Sequence, residues 1–96
     1  MTINKLLKEH RLDILAIAAK HGAGNVRVFG SVVRDESVPG SDVDFLVEMD
    51  PGRSLLDMGG LLMDLQDLLG VDVDVVTENG LRKRIRQHVI EQAVRI

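Results

Sequence analysis

The sequence contains no cysteine, tryptophan or tyrosine, and its aromatic side chains are limited to Phe29 and Phe45. Without cysteine the chain has no disulfide framework, no thiolate metal site and no thiol nucleophile. With so few aromatic side chains it also lacks the stacking platforms that single-stranded nucleic acids use. The formal net charge of −3 argues further against broad nucleic-acid affinity, which depends on cations that contact phosphates.

Long apolar runs are also missing. No stretch approaches ~18 consecutive apolar residues, and the N-terminus is polar rather than signal-like. We therefore expect no membrane association and a cytoplasmic location. The 96 residues, of which 45% are hydrophobic, predict one globular domain over 1–96 with an aliphatic core.

Hydrophobic periodicity, glycine and proline divide the chain into helices and strands. We predict helices over 3–21, 54–69 and 81–94, strands over 26–29, 42–49 and 71–76, and a single helical turn over 31–34. This order is typical of an α/β (α+β) fold with a short sheet flanked by helices. Because the first two strands are joined by a connection that is short for a parallel crossover, we predict a mixed sheet of three or four strands.

A Gly-Ser pair, Gly30 and Ser31, follows the first predicted strand. Glycine lets the backbone leave the strand, and the N–H groups that open the following turn attract phosphate. Arg34, one turn later, can return its guanidinium group to the same anion. The alternative is an ordinary strand-to-helix turn in which Ser31 is an N-cap and Arg34 is solvated.

Paired aspartates mark the next two strands. Asp42 and Asp44 share one face of a strand, as do Asp72 and Asp74, because side chains alternate along a strand. Clustered carboxylates repel one another, and a divalent cation such as Mg²⁺ removes that cost. A solvated sheet edge is the structural alternative.

These motifs together resemble those of the minimal nucleotidyltransferases, in the superfamily that includes DNA polymerase β. The matching segments are GSVVR at 30–34, SDVDFLV at 41–47 and VDVVT at 73–77. The last segment matches in register, which favours Asp74 over Asp72 as the third site carboxylate and leaves the role of Asp72 open. The resemblance implies the nucleotidyltransferase fold.

The resemblance also implies roles for the carboxylates. Asp42 and Asp44 would bridge two Mg²⁺ ions, and Asp74 would help to bind the second ion and orient the attacking hydroxyl. In-line attack on the α-phosphorus of ATP develops charge on the attacking and leaving oxygens, which two metal ions can stabilise. Such chemistry requires no nucleophile from the protein.

For the phosphates, the resemblance implies that Gly30 and Ser31 hold the terminal groups of ATP with help from Arg34. Two neighbouring positions depart from the pattern. Val32 stands where a polar residue is common, and Asp35 stands where glycine is common. A carboxylate at position 35 that pointed inward would weaken ATP binding.

Relatives of this kind act as antitoxins, similar to MntA, in HEPN/MNT toxin–antitoxin pairs. The resemblance implies transfer of AMP from ATP to a tyrosine of a HEPN ribonuclease encoded by an adjacent gene. The alternative is an antitoxin or assembly module that neutralises its partner by binding alone. A third hypothesis, nucleotidyl transfer to a small molecule, is less favoured because such relatives carry an additional substrate domain.

One of two surfaces is predicted to contact a partner chain or a second copy of this chain. The 54–69 helix is apolar on more than one face, and Leu61 is predicted to lie on its surplus face. The last helix carries a basic run that includes Arg84 and Arg86. The alternative for this run is a solvated helix face.

Overall fold

A computed structural model describes residues 3–33 and 42–96 of the chain, which form helices packed against a sheet. In chain order the elements are α1 (Ile3–Glu9), α2 (Arg11–Lys20), β1 (Ala23–Phe29), a 3-10 turn (Gly30–Val32), β2 (Val43–Met49), α3 (Leu55–Leu69), β3 (Val73–Val76), α4 (Lys83–Gln92) and β4 (Val94–Arg95). No helix in these two ranges is long and apolar enough to cross a membrane.

The sheet is mixed, as predicted, and its strand order is β3-β2-β1-β4. Strand β1 is antiparallel to both β2 and β4, whereas β2 and β3 are parallel. The short connection from β1 to β2 reverses the chain, and α3 provides the crossover that a parallel pair requires. The sheet register therefore fixes which residues of β2 and β3 lie side by side.

The main core lies on one face of the sheet. Phe45 and Val43 of β2 are fully buried there, together with Ile14 of α2 and Leu61 of α3. Leu46, which alternation places on the opposite face of β2, is also fully buried, and so is most of Val89 on α4. Leu46 and Val89 are thus buried outside the main core, and Asp44 and Asp74 project from the same face of the sheet as Leu46.

Helix α3 has well-defined ends. Its N-cap Ser54 accepts a hydrogen bond from the backbone N–H of Leu56, and Asp57 returns a carboxylate to the N–H of Ser54. Gly70 ends the helix in the left-handed conformation, with φ of 69°. The prediction of a helix over 54–69 that stops at Gly70 is confirmed.

The prediction of one uninterrupted helix over 3–21 is wrong, because the helix is distorted at His10. The hydrogen bonds from His10 N–H to Leu6 C=O and from Ile14 N–H to His10 C=O nevertheless continue through the junction. A one-residue deviation of this kind does not disturb hydrophobic periodicity. The sequence analysis also did not predict strand β4, which is only two residues long.

Leu61 was expected on a partner-binding face, and this is wrong. Its side chain is fully buried in the main core. The surplus apolar surface of α3 lies instead on Leu55, Leu56 and Met63, which are 83%, 88% and 64% exposed. The helix has apolar residues around most of its circumference, so periodicity alone could not select the buried side.

Candidate nucleotidyl-transfer site

The turn after β1 begins at Gly30 and requires glycine there. Its φ is +75°, a conformation that L-amino acids rarely adopt. The N–H of Val33 donates to the carbonyl of Gly30 at 3.1 Å, which closes one 3-10 turn. The N–H groups of Ser31 and Val32 precede that bond, and the first donors of a helical turn have no partner within the turn. The predicted helical turn entered through Gly30 is present, and phosphate binding by this turn stays a prediction.

Gly30 also lies against Asp44, one of the predicted site carboxylates. Strand pairing places Phe29 opposite Asp44, so the turn emerges beside β2. A Cβ atom added at Gly30 would lie 2.6 Å from Oδ2 of Asp44, which is closer than real Cβ atoms approach another residue. Because residue 30 has no side chain, the carboxylate of Asp44 can pack directly against the turn.

Asp44 and Asp74 are paired in the register of β2 and β3. Paired residues on adjacent strands project from the same face, and the strands lie about 4.8 Å apart. Asp44 is half-buried and Asp74 is exposed. Since β3 is the outer strand at its end of the described sheet, Asp74 can be approached from outside the domain.

The third predicted carboxylate, Asp42, is exposed and directly precedes β2. Within residues 3–33 and 42–96, no three His, Cys, Asp or Glu side chains are arranged closely enough to hold a metal ion. The structure thus brings Asp44 and Asp74 together but does not complete a cluster with Asp42. Oxygen donors of this type still fit Mg²⁺, which binds through one or two carboxylates together with substrate phosphates.

The remaining predicted site residues have different outcomes. Ser31 is half-buried in the turn, and Arg34 and Asp35 lie outside the described residues. Val32, which departs from the polar residue typical of similar proteins, is only 2% exposed and packs in the main core. Packing therefore explains an apolar side chain at this position.

Gln92 is a residue at the site that the sequence analysis did not identify. The N–H of Gly30 donates to Oε1 of Gln92, near the end of α4, at 3.2 Å. No local signal marks this glutamine, because the contact spans 62 residues of sequence.

The basic residues of α4 differ in exposure. Arg84 is exposed, whereas Arg86 is half-buried and donates from Nη2 to the carbonyl of Leu81 at 3.0 Å. Arg84 is consequently the better of the two for a test of surface charge, since a change at Arg86 would also remove a contact at the start of the helix.

Two carboxylates of α3 have lowered pKa values for reasons unrelated to the paired aspartates. A hydrogen bond from the backbone N–H of Ser54 lowers the pKa of Asp57, with help from Arg53. The pKa of Asp64 is lowered chiefly by its hydrogen bond with His21, where Nε2 and Oδ2 are 2.6 Å apart. Both interactions belong to the fold: one caps α3, and the other joins α3 to the end of α2.

Comparison with known proteins identifies the family. The sequence model described as "Nucleotidyltransferase domain" matches residues 5–96. The chain belongs to this family. A relative from Methanocaldococcus jannaschii, named as a candidate protein adenylyltransferase, is 37% identical over 98% of this chain and 97% of its own length. The protein adenylyltransferase MntA of Thermococcus cleftensis is 35% identical over 96% of this chain and 90% of its own length.

Solved structures agree with this assignment. A structure described as a candidate minimal nucleotidyltransferase has a TM-score of 0.87 and 46% identity, and the match covers 96% of this chain and 94% of that one. A toxin–antitoxin complex with AMP-PNP has a TM-score of 0.74 and 21% identity, covering 88% of this chain and 69% of that chain, which supports the fold. This minimal nucleotidyltransferase is thus similar to proteins of the MntA type, and the nucleotidyltransferase fold expected from its motifs is confirmed.

Proposed function

We propose that this nucleotidyltransferase transfers AMP from ATP to a hydroxyl group, that of a tyrosine, on a partner HEPN toxin and thereby acts as an antitoxin. The observation that carries the proposal is the register pairing of Asp44 with Asp74 beside the Gly30 turn. Support comes from the relatives that are named protein adenylyltransferases. The toxin–antitoxin complex with AMP-PNP supports both the nucleotide and the kind of partner.

In this proposal the turn binds the triphosphate. The N–H groups and the hydroxyl of Ser31 face the terminal phosphates, and Gly30 allows the chain to approach them closely. Arg34 is assigned to the same phosphates through its guanidinium group. Binding the terminal phosphates leaves the α-phosphorus directed toward the carboxylates.

Asp42, Asp44 and Asp74 would hold Mg²⁺, two ions in the full site. The ions would neutralise the charge that develops on the attacking and leaving oxygens. Asp74 would accept a hydrogen bond from the attacking hydroxyl and so direct its oxygen at the α-phosphorus. The new bond would join that oxygen to phosphorus as its proton passes to Asp74, and the bond to the bridging oxygen would break, so that pyrophosphate leaves.

In this proposal the acceptor comes from another chain. Asp74 is exposed on the outer strand β3, so a hydroxyl of a partner can reach it without displacing an element of the described fold. The exposed apolar side chains of Leu55, Leu56 and Met63 offer a surface for that partner. They also support the alternative proposal, in which binding alone neutralises the toxin, and they would serve equally in contact with a second copy of this chain.

Label transfer tests the proposal. The protein is incubated with Mg²⁺, ATP labelled at the α-phosphate and the co-purified product of the adjacent gene. We expect label on the partner, lost in Asp44→Asn and retained in Asp67→Asn, a control at an exposed position of α3. No label with the wild-type protein would refute the transferase proposal, and continued neutralisation of the toxin by Asp44→Asn would favour the binding alternative.

A further inference from the structure

We propose that Gln92 is a positioning residue that holds the phosphate-binding turn in its working geometry through the N–H of Gly30. The proposal rests on the nucleotidyl transfer proposed above and assigns a role to a residue outside the motifs. The N–H of Gly30 donates to Oε1 of Gln92 at 3.2 Å, in a partly buried setting. This bond ties the turn after β1 to the end of α4.

The sheet register explains why Gln92 reaches this position. Strand β1 pairs with β4 at Arg27–Arg95 and Val28–Val94. Two further steps along these antiparallel strands would place Gly30 opposite Gln92. The backbone ladder does not continue that far, because Gly30 turns away with φ of +75° and Gln92 is the last residue of α4. The side-chain oxygen of Gln92 therefore takes the place of a backbone acceptor.

The bond also determines which amides remain for a phosphate. The N–H of Gly30 is engaged by Gln92, and that of Val33 by the carbonyl of Gly30. The amides of Ser31 and Val32 are then the donors at the open end of the turn. Asp44 also restricts the movement of Gly30, because its Oδ2 occupies the position that a Cβ atom on Gly30 would take. Loss of the Gln92 contact would free the turn to rotate and misdirect the two amides.

Three variants separate this role from a merely structural one. Gln92→Leu removes the acceptor at similar size, and Gln92→Glu keeps an acceptor oxygen. Gln87→Leu is the matched control, because Gln87 is an exposed glutamine of the same helix whose side chain donates to Glu91. The readouts are the hydrogen exchange of the Gly30 amide, measured by NMR, and the binding of Mg²⁺–ATP, measured by calorimetry without any partner.

A hydrogen bond of ordinary net strength corresponds to about a fivefold change in an equilibrium constant. In Gln92→Leu we expect the Gly30 amide to exchange about fivefold faster and the dissociation constant for ATP to rise about fivefold. In label transfer the KM for ATP should rise similarly while kcat stays nearly unchanged, because the carboxylates are intact. Gln92→Glu should keep the slow exchange of Gly30, and Gln87→Leu should match the wild type in every readout.

Unchanged exchange at Gly30 in Gln92→Leu would overturn the proposal. Faster exchange with unchanged ATP affinity would overturn it as well, since the bond would then serve only the fold. If the wild-type protein does not bind Mg²⁺–ATP, the proposed function and the role of Gln92 in it both fail, and the exchange data show whether the contact itself exists. If ATP binds but no transfer occurs, only the proposed reaction fails.

Discussion

Comparing Gly30→Ala with Gly70→Ala separates the effect of backbone strain from the effect of displacing the Asp44 carboxylate. A left-handed conformation costs an L-residue roughly 1–2 kcal/mol. Alanine also reduces the conformational freedom of the unfolded chain, which offsets about 0.4–1 kcal/mol of this cost. A net loss of about 1 kcal/mol corresponds to a Tm decrease of roughly 4–8 °C for a domain of this size. Gly70→Ala is the matched control, because Gly70 has φ of +69° and an added Cβ would meet nothing within 4 Å.

The two variants should differ in activity. The new Cβ at position 30 would lie 2.6 Å from Oδ2 of Asp44, whereas ordinary contacts begin at 3.4 Å, so the carboxylate must move by about 0.8 Å. A misplacement of about 1 Å at a reacting centre can cost about 10²-fold in rate. We therefore expect Gly30→Ala to lose about 10²-fold in transfer rate while Gly70→Ala remains near the wild-type rate.

Thermal unfolding and label transfer, measured on the same preparations, check this prediction. Both variants should unfold at similarly reduced temperatures. If Gly30→Ala transfers AMP as fast as Gly70→Ala, the contact between Gly30 and Asp44 has no part in the site and the geometry argued here is incorrect.

Further predictions concern the packing and electrostatics of α3. Leu61→Ala should destabilise the protein by about 2–5 kcal/mol, because its side chain is fully buried. Leu56→Glu should change the unfolding free energy by less than about 0.5 kcal/mol, yet weaken co-elution with the partner on size exclusion. Ser54→Ala should cost about 0.5–2 kcal/mol in urea unfolding through loss of the N-cap. The hydrogen bond with His21 lowers the pKa of Asp64 in the folded protein. The stabilisation from this interaction is therefore present above the unfolded-state pKa near 3.8 and is lost as the pH falls through the lower folded-state pKa. Acid titrations should therefore show a shallower loss of stability below pH 4 in Asp64→Asn than in the wild type, and identical acid limbs would contradict this assignment.

Local signals were sufficient to predict most elements. Gly70 marked the end of α3, and the short connection between β1 and β2 predicted a mixed sheet, because these features act within a few residues. Motif register favoured Asp74 over Asp72 as the third site carboxylate, and the structure pairs Asp74 with Asp44 in strand register. The site assignment itself stays a prediction.

The features that sequence analysis missed depend on distant contacts. Strand β4 is too short to show alternation, and its pairing with β1 exists only in the folded chain. Gln92 has no local pattern because its partner, Gly30, is distant in sequence. Leu61 was assigned to the wrong face because α3 is apolar on several sides, and only the position of the sheet decides which side is buried.

Metal binding in the presence of nucleotide tests the central claim most directly. Mn²⁺, used as a spectroscopic probe for Mg²⁺, is titrated by electron paramagnetic resonance with a non-transferable ATP analogue. Asp44→Asn and Asp74→Asn should each weaken Mn²⁺ binding by roughly 10- to 100-fold or more, because the loss of a hydrogen-bond partner of a metal ligand can already cost that much. Asp67→Asn, at an exposed position of α3, should bind as the wild type does. Undiminished binding in Asp44→Asn and Asp74→Asn, or an equal loss in Asp67→Asn, would contradict the account.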